Sequence, residues 1–154
     1  MTEPRVRKAV EADVCNVLPL MRELAEFEKY VSGFAVTEEV LREQGFRRSP
    51  PDFHCLIAES GDELVGFLVY YFVPFTYRAK PNLIIKELYV ADGCRSKGVG
   101  KLLMRAIAKE AGLARIPYVC RSVSGFSRIL VSPVIPHSAT AAGMVPARRV
   151  RLEG

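Results

Sequence analysis

The chain has 154 residues, is 49% hydrophobic and carries a formal net charge of +5. That length supports one domain with a true core, and no apolar run approaches the roughly 18 residues of a membrane span. The opening MTEPRVRKAVEADV lacks the apolar stretch of a signal peptide, and Cys15, Cys55, Cys94 and Cys120 stand too far apart for a zinc pattern. A metal-free cytoplasmic protein with reduced thiols is expected. The charge is unevenly placed: residues 1–112 are neutral, whereas residues 113–154 hold six Arg, no Lys and a single acid, Glu153. Without dense clusters or interleaved aromatics, this basic tail marks neither a nucleic-acid nor a membrane partner.

Residues 6–10 read as a first strand and 12–30 as a helix, with Val14, Val17, Leu18, Met21, Leu24, Ala25 and Glu28 near one face. Pro19 should bend that helix or mark a restart within it. Thr37 ahead of Glu38 and Glu39 predicts an N-cap and a short helix to about Gln44, followed by a loop over 45–52. Residues 53–59 and 64–72 read as strands joined in a hairpin across Ser60-Gly61-Asp62-Glu63. A loop over 74–81 leads to LIIKELYV, residues 83–90, which has the apolar character of a strand buried on both faces. After the loop ADGCRSK, a helix opens at Gly98-Val99-Gly100-Lys101, with Val99, Leu102, Leu103, Ala106 and Ile107 at helical spacing and Gly112 just past its end.

The stretch from Leu83 to Ala111 organises the rest. Its glycines leave N–H groups uncovered at a helix start beside Arg95 and Lys97, a fit for a pyrophosphate. It is not a P-loop, because Gly98 is followed by Val99 and Gly100 rather than Lys-Ser/Thr. Nor is it the dinucleotide fingerprint, whose third glycine would fall at Leu103.

Arg95-Ser96-Lys97-Gly98-Val99-Gly100 resembles the Arg/Gln-x-x-Gly-x-Gly/Ala signature of the GNAT family of N-acetyltransferases. RELAEFEKY, FHCLIAE and VGFLVYYF resemble segments of its diamine (spermidine/spermine) and thialysine members. The resemblance covers about residues 5–112. It implies a single α/β domain over 1–154 with the acyl-CoA N-acyltransferase fold, a mixed twisted sheet with helices on both faces. The implied activity moves acetyl from acetyl-CoA to a primary amine of a small molecule: a diamine, a polyamine, thialysine or an amino-acid-like amine. Family members often form homodimers partly through their C-terminal part.

Such an amine attacks only when neutral, and its unperturbed pKa is about 10.4. A site must take its proton, stabilise the oxyanion and protonate the departing thiolate. By resemblance, the backbone of Leu88, Tyr89 and Val90 would bind pantetheine as a pseudo-strand. Arg95 with Ser96, Lys97, Gly98, Val99, Gly100 and Lys101 would hold the pyrophosphate. Phe27 and Glu28 match positions that hold the amine, and Glu87 is a candidate base, a structural ion pair being the open alternative. Glu23 and Glu26 read better as a solvated helix face. Lys86 departs from the polyamine members, which carry an acid there, and the reversal favours a smaller amine or an amino acid. The aromatics Tyr70, Tyr71, Phe72, Phe75 and Tyr77 read as strand core with a pocket-lining role still open. His54 reads as structural, and Cys94 as incidental.

After Gly112 the family ending is a strand, an Asn-containing turn and a helix with a Phe-Tyr pair, whose Tyr protonates the thiolate. Here residues 113–154 hold no Asn and no Phe-Tyr pair, and Tyr118 is the only tyrosine after Tyr89. Only Gly143-Met144 and residues 148–152 look like the expected ending, and His137 supports no role. Three expectations follow: a divergent folded ending with another acid, a CoA-binding domain impaired in catalysis for want of that tyrosine, or a stretch translated out of frame. The abrupt loss of acids with gains in Ser, Pro and Arg favours the third.

Overall fold

The computed structural model describes residues 2–74, 79–113, 118–121 and 132–133. Phe75, Tyr77, His137, Gly143, Met144 and residues 148–152 lie outside them. Nine elements follow in order: β1 (Arg5–Lys8), α1 (Val14–Phe27), α2 (Glu38–Arg42), β2 (His54–Ser60), β3 (Glu63–Val73), β4 (Asn82–Val90), α3 (Val99–Leu113), β5 (Tyr118–Arg121) and β6 (Ser132–Pro133). The strands form one sheet in sequence order. Every neighbouring pair is antiparallel except β4 and β5, which run parallel, so the sheet is mixed.

Two apolar layers sandwich it. On one face α3 lays Val99, Leu103, Ile107 and Ala111 over Leu56, Leu68, Tyr70, Leu83 and Ile85. On the other, Val14, Val17, Met21 and Leu24 of α1 and Leu41 of α2 cover Cys55, Ile57, Phe67, Val69 and Tyr89. Leu103 and Phe67 are fully buried, and truncating either to Ala would cost about 2–5 kcal/mol through lost transfer energy and a cavity. Burial pushes the Cys55 thiol up to about 12, which leaves it a packing group.

The first helix is shorter than its sequence pattern. A single 3₁₀ turn, Glu11–Asp13, precedes it, and Lys29 at φ 62° ends it. Lys29 N–H donates to the Glu26 carbonyl (3.2 Å) and Tyr30 N–H to the Ala25 carbonyl (3.0 Å), a Schellman stop formed without glycine. Glu28 therefore caps the helix instead of riding its apolar face, and Leu20 is buried in its stead. Pro19 lies within an uninterrupted helix, without a restart.

Thr37 caps α2 as expected, its hydroxyl accepting from Val40 N–H at 3.3 Å. The chain then continues as a π-helical turn, Glu43–Arg47, which carries the helix past Gln44 into residues 45–47, where the sequence predicts a loop. Helix α3 runs on to Leu113, so Gly112 lies inside it. His54 stacks on Tyr70 with ring centroids 5.2 Å apart and meets Phe72 edge-on, a packed aromatic cluster as expected. Burial lowers its pKa, with Lys8 reinforcing and Glu110 opposing.

One feature of β4 differs from a plain buried strand. Leu68 pairs with Leu88 and Val69 with Glu87, but Tyr70 pairs with Ile85, leaving Lys86 as the extra residue of a bulge. Side-chain parity flips there. Leu83 and Ile85 pack under α3, as do Leu88 and Val90 beyond the bulge, whereas Tyr89 packs under α1.

Candidate active site

The β4–β5 pairing covers only Leu83, Ile84 and Ile85. Among the described residues, β4 beyond Ile85 pairs with β3 alone, and its β5-facing edge from Lys86 to Val90 has no strand neighbour. At its end, Ala91 N–H donates to Val65 of β3, so the Val90 carbonyl across the same planar peptide faces the open side. Gly66, opposite Val90, lets the strands close: a Cβ there would sit 2.8 Å from the Tyr89 carbonyl oxygen.

The turn after β4 is built from a 3₁₀ turn, Asp92–Cys94, and two left-handed residues, Ser96 (φ 64°) and Gly98 (φ 80°). Glycine takes that conformation without strain, whereas Ser96 does so at some cost. Gly98 accepts from Leu102 N–H at 3.0 Å and so starts α3. The amides of Val99, Gly100 and Lys101 belong to the first turn, which no helix can satisfy internally. Ser96, Lys97, Gly98 and Lys101 are exposed, and the Lys97 ammonium donates to the Gly93 carbonyl at 2.8 Å.

Arg95 joins this turn to the end of α1. Its Nε donates to the Val90 carbonyl (3.1 Å), its Nη1 pairs with Asp92 (3.0 Å), and its guanidinium lies 4.9 Å from the Phe27 ring centre and 5.5 Å from that of Tyr89. Phe27 is 65% exposed despite that stack. Tyr89 donates its hydroxyl to Glu23 at 3.0 Å, so Glu23 takes part in the cluster, contrary to its reading as a solvated face. Glu26 remains exposed.

Glu87 is half-buried on the α1 face of the bulge. Burial raises its pKa above the usual carboxylate value; the neighbouring Lys86 charge opposes the rise and Glu28 adds to it. Among the described residues its carboxylate makes no hydrogen bond or ion pair. Burial and the charges of Glu87 and Glu28 likewise raise the Tyr30 phenol. Tyr30 has no signal in the sequence, because only the helix stop at Lys29 turns it towards Glu87. The bulge did have one: two adjacent charged residues interrupt an apolar strand.

The acetyltransferase (GNAT) family model matches residues 18–124. The chain belongs to the GNAT family. By class it is an acetyl-CoA-dependent N-acetyltransferase. Mouse thialysine N-epsilon-acetyltransferase is 35% identical over 119 residues, which cover 72% of this chain and 69% of that one. Human spermidine/spermine N(1)-acetyltransferase-like protein 1 is 30% identical over 114 residues, covering 70% of this chain and 16% of that one. In fold, the GNAT chain is similar to an aminoglycoside acetyltransferase from an uncultured soil metagenomic sample, solved with sisomicin (TM-score 0.67, 20% identity, 79% and 78% of the two chains). It is also similar to a protein of Clostridium acetobutylicum described as a predicted acetyltransferase and solved with acetyl-CoA (TM-score 0.66, 20% identity, 82% and 84%). The family match ends at residue 124, short of most of the region where the sequence departs from the GNAT ending.

Proposed function

We propose that this GNAT protein acetylates a primary amine of a small molecule, thialysine being the substrate named for several of its relatives. The observation that carries this reading is Glu87, a half-buried carboxylate of raised pKa on the bulge of β4, beside its open edge and without an ion-pair partner among the described residues. The neighbouring groups fit the acetyl donor. An amide-bearing arm can add to the backbone of Leu88, Tyr89 and Val90, and a diphosphate fits the amides from Ser96 to Lys101 with the α3 start beneath them. Arg95 would have to turn from the Val90 carbonyl towards the phosphates or share that oxygen, which has a second lone pair. Bound there, acetyl-CoA supplies the activated acetyl group and a thiol leaving group.

Glu87 accepts the proton that the incoming ammonium must lose before its nitrogen can attack. Burial raises its pKa, which strengthens it as a base. At the end of α1, Phe27 stacks with Arg95 and the charge of Glu28 acts on Glu87, an aromatic ring and a carboxylate suited to a cation. A second reading, a CoA-binding module without turnover, is favoured by one observation: Tyr118, the one tyrosine within residues 113–154, lies in β5 and not in the helix where the resemblance puts the acid.

Incubating the chain with acetyl-CoA and diamines, polyamines, thialysine and lysine, while following free thiol, separates the two. Amine-dependent thiol release is expected. Intact CoA binding without release would leave only the module.

A further inference from the structure

The bulge in β4 gives the amine side two signs of charge. Ile85 packs under α3, so alternation turns the next side chain, Lys86, to the α1 face. Tyr89 packs under α1, so Glu87, two residues earlier, shares that face. Adjacent residues of a regular strand would point to opposite faces; here the unpaired position puts an ammonium and a carboxylate side by side. They lie close enough for each charge to act on the other, yet among the described residues neither belongs to an ion pair. The charge of Glu28, from the turn closing α1, acts on the same carboxylate, and that carboxylate acts on the Tyr30 phenol.

We propose that Lys86 reads a carboxylate on the substrate, so that the site selects an amine that is also an acid, of the amino-acid class, over a diamine of equal length. This rests on the acetyltransferase reading above and adds the charge of the substrate's far end. A diamine enters with two cations. One can meet Glu87 and Glu28, but the other is left in the field of the Lys86 ammonium. A diamino acid such as thialysine carries the same two ammonium groups, but beside the far one stands a carboxylate that offsets it and can meet Lys86, whose four-carbon stem carries an exposed, rotatable donor. Like-charge juxtaposition then rejects the diamine while opposite charge retains the amino acid.

The test compares thialysine with its decarboxylated counterpart, bis(2-aminoethyl) sulfide, which keeps the reacting aminoethyl end. For the unaltered chain, kcat/KM should favour thialysine by about tenfold, as one charged hydrogen bond supplies. Lys86→Glu should reverse the preference, chiefly through KM, and Lys86→Gln should bring the ratio near unity. If Lys86 merely tunes Glu87, both variants will shift the two substrates equally and move the pH profile, which overturns the proposal. The same ratios are to be measured as calorimetric affinities with CoA present. Absence of thiol release would then defeat the acetyltransferase reading alone, and equal affinities in all three proteins would defeat the role of Lys86.

Discussion

Burial sets the chemistry of Glu87 more than any neighbour does, and it acts on stability and activity in opposite directions. A carboxylate whose folded pKa is raised contributes stability below its unfolded value, about 4.3, and loses it as pH rises through the folded value. Above that folded value the ionised group is a cost to the fold. Glu87→Gln should leave the melting temperature unchanged or slightly higher, while kcat for the preferred amine falls about 10²-fold or more. The acid limb of the pH–rate profile, expected above the ordinary carboxylate range, should vanish with it. Thermal melts beside a pH series of thiol release check both halves; a variant that loses stability and activity together would make Glu87 structural. The phenol of Tyr89 is a different case: its bond to Glu23 and its ring under Arg95 tie the end of α1 to the turn after β4, without proton chemistry being required.

Among the elements, the joint between β1, β2 and the start of α1 has an ionic centre at Arg7. Arg7 donates to both oxygens of Asp13 (2.8 and 2.9 Å) and to Glu59, and Asp13 also accepts from Val10 N–H at 2.7 Å. Asp13 is buried, and its hydrogen bonds from Arg7 hold its carboxyl below the usual range despite that burial. Asp13→Asn leaves Arg7 short of a partner and should cost about 2–4 kcal/mol at pH 7 in urea unfolding. A carboxylate with a depressed folded pKa stabilises above its unfolded pKa, near 3.9, and loses that contribution as pH falls through the folded value. The gap between wild type and variant should thus stay constant from pH 7 to about 5 and close only in stronger acid. A gap already shrinking at pH 6 would show that Asp13 is not the titrating group. This joint was not legible in the sequence, because Arg7, Asp13 and Glu59 carry no spacing that announces contact. The strands and long helices were legible, since apolar period and turn residues fix them locally. Glu28 was misplaced because the stop at Lys29 is a backbone event without a glycine to announce it. The loop Ser96–Lys101 could be read because glycine at a helix start has few other uses, whereas the stacking of Arg95 on Phe27 depends on tertiary approach alone.

At the scale of the whole molecule, cofactor binding and turnover can be measured apart, and the first does not require an acid. A ligand that binds only the folded state stabilises it by about 2.7 kcal/mol at one hundred times its Kd. For a domain of this size that raises the melting temperature by roughly 5–10 °C. CoA should produce such a shift in the full chain whether or not amines are acetylated. Gly98, at φ 80°, is where the turn is most sensitive. Nothing lies within 4 Å of an added Cβ there, so Gly98→Ala strains the backbone without a clash and should cost about 1 kcal/mol. Its larger effect should be on CoA, because relaxing that strain re-aims the amides at the start of α3. A shift reduced to half or less is expected. Gly33→Ala, at an open position without positive φ, should keep the full shift. Equal shifts in Gly98→Ala and the unaltered chain would place the phosphates elsewhere and detach the cofactor from the turn between β4 and α3.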